Sequence, residues 1–98
     1  MTFEKFMASL PDPAPSAGLS SALAALWWMA KGDWERAHNL VNDLDGGDEA
    51  WVHAHLHRVA GDLGNASYWY RRAGKAPSSG ALETEREAII RALLQGTG

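Results

Sequence analysis

The fold is decided by two matching stretches of sequence, GDWERAHNLVNDL at residues 32–44 and GDLGNASYWYRRA at residues 61–73. Both begin with glycine, aspartate and an apolar residue, and both continue with a small alanine and two further apolar positions. Glycine readily closes the last turn of a helix, because it adopts the left-handed backbone conformation. Aspartate caps the helix that follows by accepting a hydrogen bond from a free backbone amide. Each stretch therefore predicts a turn between two antiparallel helices.

The rest of the chain also shows helical periodicity. Apolar residues recur at intervals of three and four in the segments on either side of these stretches, and no segment alternates at period two. We therefore predict an all-α fold: two antiparallel helix–turn–helix units stacked together, a short N-terminal helix and a C-terminal capping helix. The predicted organisation is a single domain over 1–98, with an N-terminal arm and proline-rich linker at 1–18, two helical pairs at 19–77 and the last helix at 78–98.

Three details of this prediction concern individual residues. Trp27 lies on the apolar stripe of its helix, and the adjacent Trp28 falls at the margin, because neighbouring helical positions point about 100° apart. Asp48 is predicted to be the N-cap of the helix after Gly46-Gly47. Glu85 is predicted to lie on the charged face of the last helix, opposite its apolar stripe.

Composition excludes several classes of function. The net charge is −3, whereas a nucleic-acid-binding protein normally carries a basic face that neutralises phosphates. There is no cysteine, so neither disulfides nor thiolate metal sites can form. Residues 1–10 lack the apolar run of a secretory signal, and no window approaches the roughly 18 apolar residues of a membrane span. We therefore expect a cytoplasmic protein that binds neither nucleic acid nor membrane.

The repeated stretch resembles the second half of a tetratricopeptide repeat. Ala66 and Tyr70, followed by Pro77, look like that family's alanine, large aromatic residue and terminal proline. The segment 65–74 is similar to the end of the related sel-one-like repeats, and the resemblance covers residues 19–77, which hold two units. It implies a concave surface that holds a peptide or a partner protein.

The resemblance makes a non-enzymatic interaction module our first functional prediction. The expected partner is a protein, a peptide or a second copy of the chain. In the tetratricopeptide register, Trp28 falls on a position that often lines the groove. The aromatic and basic residues near 68–75 have two interpretations: they clamp an acidic peptide, or the aromatic residues belong to the core and the basic ones to a solvated face. We predict no catalytic residue and no cofactor, and we expect the binding surface to include Trp28, His53, His57, Arg58 and Arg72.

A column of ligand-type side chains supports a second prediction. Glu49, His53 and His57 follow one another at intervals of four, so they share one face of a helix, and His38 is able to approach from the preceding helix. Imidazole nitrogens with a carboxylate suit zinc or a similar ion. A metal site here would make the chain a small metal-binding protein or an accessory to a metal-dependent enzyme. The alternative is that no metal binds, and that the imidazoles pack at the edge of the apolar stripe and keep their tips in water.

Overall fold

The computed structural model describes residues 1–96 and contains six α-helices, with no strand in that range. The predicted all-α fold class is confirmed. None of the helices within residues 1–96 combines the length and the apolar character needed to cross a membrane. The helices are α1 (Phe3–Ala8), α2 (Ser21–Ala30), α3 (Trp34–Val41), α4 (Gly47–Val59), α5 (Leu63–Ala73) and α6 (Leu82–Gly96).

The turns from α2 to α3 and from α4 to α5 have the same geometry. Gly32 and Gly61 adopt φ of 87° and 80°, in the left-handed region that glycine enters without strain. The amide of the aspartate after each glycine donates back to the preceding helix, from Asp33 to Trp28 O and from Asp62 to His57 O, both at 2.9 Å. The sequence repeat therefore corresponds to a repeated turn, in which glycine closes one helix and aspartate starts the next.

Two of the three predicted aspartate caps are confirmed. The side chains of Asp33 and Asp62 accept from the backbone amides of Arg36 and Asn65, at the starts of α3 and α5. The prediction for Asp48 is wrong. Helix α4 begins at Gly47, one residue earlier, so Asp48 lies inside its first turn, where a negative charge favours the positive end of the helix dipole.

Helix α4 is the central element of the fold, since it packs against α2, α3, α5 and α6. It is buried on every side from Ala50 to Leu56, except at the half-buried Trp51. A helix covered by neighbours all round cannot keep polar side chains in water. The expectation that the imidazoles of the Glu49, His53 and His57 column keep their tips in water is therefore wrong for His53, which is 2% exposed, and the neighbouring His55 is fully buried.

The N-terminal segment packs on the domain. Phe6 of α1 is fully buried in the main core, and the Trp27 indole donates to Ser9 Oγ at 2.9 Å. The Lys31 ammonium donates to two carbonyl oxygens of the following segment, those of Leu10 and Asp12. These contacts hold the arm against α2, and Trp28 lies half-buried beside the fully buried Trp27.

A buried carboxylate connects α6 to α4 and α5. Glu85 Oε1 lies 2.7 Å from His55 Nδ1 and 3.2 Å from Arg58 Nη1, and its other oxygen accepts a hydrogen bond from the Tyr70 hydroxyl. Burial by itself raises the pKa of Glu85, but the hydrogen bonds from His55, Tyr70 and Arg58 lower it further than burial raises it. The prediction that Glu85 lies on the solvated face is wrong, because its position faces these three donors.

Candidate metal centre

Three of the chain's four histidines meet where α3 crosses α4. His38 lies near the end of α3, and His53 and His57 lie one turn apart on α4, so the two α4 side chains project from the same face. One ring nitrogen from each of the three lies within 4.8 Å of the others. We call this group, His38, His53 and His57, the histidine cluster.

The rings of the histidine cluster are arranged around a shared space. His38 Nε2 and His53 Nε2 are 3.1 Å apart and share a hydrogen bond, in which one ring donates its N–H and the other accepts. The His53 and His57 rings are stacked, with centroids 4.8 Å apart and planes inclined by 20°. The His38 ring stands nearly perpendicular to both, at 77° to His53 and 80° to His57. The three rings are therefore in mutual contact, two of them stacked and the third edge-on to both.

Two tryptophans hold these imidazoles in place. The Trp34 ring stacks on His38 with centroids 4.6 Å apart, and the Trp69 ring stacks on His53 at 4.0 Å. The Trp34 indole also donates to the Leu56 carbonyl at 2.7 Å, which fixes its ring against α4. Rings packed in this way lose little further freedom when a ligand binds, so the cluster is organised in advance.

The imidazoles are held in the neutral form. Burial lowers the pKa of His38, His53 and His57, and for His53 the charges of His57 and His38 add to this effect and bring its pKa to about 4. A neutral imidazole keeps a nitrogen lone pair, which a protonated one lacks. At neutral pH each ring therefore has one nitrogen without a proton, although the hydrogen bond between His38 Nε2 and His53 Nε2 requires one of these two rings to move its proton to Nδ1 before both ligate through Nε2.

The geometry matches the requirements of a transition metal. Zinc binds histidine nitrogens at about 2.0–2.1 Å in a tetrahedral arrangement, which places two ligand nitrogens roughly 3.4 Å apart. The 3.1 Å between His38 Nε2 and His53 Nε2 is close to that separation, and one His57 nitrogen lies within 4.8 Å of a nitrogen of each of these rings. His57 Nδ1 lies 4.0 Å from Asp62 Oδ2, and a carboxylate in this position orients the ring of a metal-binding histidine.

No known protein family, curated protein or solved structure matches this chain.

The structure brings together only part of the predicted metal set. His53 and His57 are in the cluster with His38, whereas Glu49 is not among its members. The Glu49 carboxylate instead lies against Gly46, at the start of its own helix. A first-turn glutamate is attracted to the free amides of the helix terminus, which explains why it turns away from the histidines one and two turns further on.

The other predicted binding residues have contacts within the chain. Trp28 is half-buried, and the Arg36 guanidinium carbon lies over its ring, 4.5 Å from the centroid of the Trp28 ring. Arg58 points inward, where it donates to Glu85 and to the Gly80 carbonyl. Arg72 is exposed and lies 5.7 Å from the Trp69 ring centroid, which places it just outside the histidine cluster. The predicted interaction surface stays a prediction.

Sequence reasoning gave too little weight to His38. Its signal was that it follows Trp34 by four residues, which puts the two rings on one face of α3, and both contact α4. The buried contacts of Glu85 carried no such signal. A glutamate within a charged helical segment is normally solvated, and only the positions of His55, Arg58 and Tyr70 on other helices make its burial favourable.

Proposed function

We propose that this protein binds a divalent transition metal ion through His38, His53 and His57. The observation that supports the proposal is the convergence of three neutral imidazole nitrogens within 4.8 Å of one another. Imidazole ligands suit zinc, copper, nickel and cobalt, whereas magnesium and calcium prefer oxygen ligands. The proposal keeps His53 and His57 from the set predicted by sequence and replaces Glu49 with His38.

The burial of His53 also bears on this function. His53 is 2% exposed, and its Nδ1 has no hydrogen-bond partner among residues 1–96. Burial of an imidazole whose hydrogen-bonding capacity is incompletely used costs free energy. Binding of a metal to the folded cluster through His53 Nε2 would leave Nδ1 itself without a partner, but the free energy of metal binding stabilises the folded chain and so offsets that cost whenever an ion is bound.

The test is a calorimetric titration of the chelator-treated protein with Zn²⁺. We expect one ion per chain and a loss of affinity of roughly 100-fold or more when any ligand is removed, in His38→Gln, His53→Gln and His57→Gln. Glu49→Gln is the matched control, because it removes the ligand that the sequence predicted and that the structure places elsewhere. Its affinity should equal that of the wild type.

Two results would count against this function. One is the absence of saturable binding of Zn²⁺, Co²⁺, Ni²⁺ or Cu²⁺ to a protein whose circular dichroism shows it to be folded. The other is binding that survives His38→Gln and is lost in Glu49→Gln, which would restore the set predicted by sequence and place the ion on α4 alone.

A further inference from the structure

The histidine cluster supplies one ligand fewer than a closed tetrahedral site requires. Within residues 1–96 the converging group of metal-ligand side chains has three members, all histidines. Structural zinc sites normally have four protein ligands, whereas sites with three protein ligands hold water or another small ligand in the remaining position. The number of ligands therefore bears on what the site does once an ion is bound.

The carboxylate in contact with the cluster is already engaged. Asp62 Oδ1 accepts from the Asn65 backbone amide as the N-cap of α5, and Oδ2 accepts from the Asn65 side chain at 3.0 Å. Its approach to the cluster is at His57 Nδ1, 4.0 Å away, which is the nitrogen that a metal bound at Nε2 leaves free. Asp62 is thus placed to orient His57, and a move into the coordination sphere would cost the cap of α5.

A bound ion would be closest to solvent on one side of the cluster. His53 is buried, whereas His38 and His57 are half-buried, so the solvent-facing side of the cluster is formed by His38 and His57. Trp34 and Trp69 occupy the ring faces of His38 and His53. The half-buried His38 and His57 are therefore the side from which a small molecule would approach an ion held by the cluster.

The charge of a bound ion determines which kind of small molecule it attracts. Three imidazole ligands bring no negative charge into the coordination sphere, and Asp62, 4.0 Å from His57 Nδ1, acts on a bound ion only from outside it. The site is partly desolvated, since His53 is 2% exposed. A positive charge in a partly desolvated site attracts an anion more strongly than a neutral molecule. We infer that the ion held by His38, His53 and His57 keeps one coordination position open to solvent, and that this position takes a small anion such as a carboxylate or azide.

This inference rests on the proposed metal-binding function, and the test separates the two. The protein is loaded with Co²⁺, whose visible absorption reports its coordination, and is then titrated with azide and, separately, with acetate. We expect a saturable change in the absorption bands, while the amount of Co²⁺ that stays with the protein after filtration is unchanged. If Co²⁺ never produces a protein-bound spectrum, the metal-binding function itself fails before any anion is added.

A Co²⁺ spectrum that is present but insensitive to both anions would overturn the inference, since the coordination sphere would then be closed by the protein. Asp62→Asn identifies whether Asp62 is the closing group, because asparagine still caps a helix but is a much poorer metal ligand. We expect the wild type and Asp62→Asn both to respond to azide. A response in Asp62→Asn alone would show that Asp62 occupies the position that we assign to the anion.

Discussion

Glu85 shows how much of this fold's stability depends on a single buried side chain. Its carboxylate accepts from His55, Arg58 and Tyr70, which lie on two other helices, and its side chain is 5% exposed. Burial raises the pKa of the Tyr70 hydroxyl most, and the hydrogen bond to Glu85 and the negative charge of Glu85 raise it further. Removal of one partner from such a network leaves the others buried and unpaired, which costs far more than the loss of an exposed pair.

We expect Glu85→Gln to lower the free energy of unfolding by about 3 kcal/mol, because it leaves the Arg58 guanidinium without a buried counter-charge. Urea denaturation followed by tryptophan fluorescence measures this change. Glu87→Gln is the matched control on the same helix, since Glu87 is exposed, and its effect should stay within about 0.5 kcal/mol. Equal effects of the two substitutions would mean that the buried network adds nothing to stability.

At the scale of elements, the two glycine turns determine how the helices follow one another. Each turn reverses the chain within a few residues and aims the next helix back along the previous one. The first turn places His38 on the helix that faces α4, and the second places Trp69 on the helix that covers His53. Correct turn geometry is therefore a requirement for the histidine cluster as well as for the fold.

We expect Gly32→Ala and Gly61→Ala each to destabilise the fold by about 1–2 kcal/mol, because a side chain disfavours the left-handed backbone conformation. Within residues 1–96, and apart from the glycine's own chain neighbours, no atom lies within 4 Å of a Cβ added at either position, so the cost is conformational and not a clash. Gly64→Ala is the control, since Gly64 lies within α5, where alanine should stabilise the helix by up to about 1 kcal/mol.

Thermal or urea unfolding of the three glycine variants distinguishes these effects by their signs. A loss of stability in Gly64→Ala equal to that of the two turn variants would contradict the assignment of strain to positive φ at Gly32 and Gly61.

At the scale of the whole molecule, the histidine cluster makes stability depend on pH. His53 faces His57 on its own helix, His38 from α3 and Trp69 from α5, and its pKa is lowered to about 4 by burial first and by the two neighbouring charges second. In the unfolded chain His53 has the ordinary histidine pKa near 6.5. Between pH 6.5 and pH 4 the unfolded chain therefore binds more protons at this residue than the folded chain does. Acidification therefore favours unfolding in this window, and the loss due to His53 is complete below its folded pKa.

We expect the metal-free protein to lose on the order of 2 kcal/mol of unfolding free energy between pH 7 and pH 4.5, with His53 as the largest contributor. Glu85 acts in the same direction but at lower pH, because its lowered pKa makes it lose its charge only in more acidic solution. Denaturation curves at pH 7, 6 and 5 measure the slope. His53→Gln should flatten it, and an unchanged slope in that variant would exclude His53 as its source.

The local features of this protein were determined by the sequence. Glycine followed by aspartate predicted both turns and the starts of α3 and α5, because a positive φ and an N-cap each depend on residues close together in the chain. The all-α class followed from the apolar periodicity for the same reason. The error at Asp48 was also local, since glycine can cap a helix and two glycines precede that aspartate.

The sites were decided by the tertiary structure. Helical spacing places His53 and His57 on one face, but it cannot show that His38 reaches that face or that Glu49 turns away from it, because both depend on how α3 crosses α4 and on the charge at the start of α4. The burial of Glu85 likewise requires donors from two other helices. Local propensity specifies which segments form helices, whereas the convergence of side chains from separate helices exists only once those helices have packed.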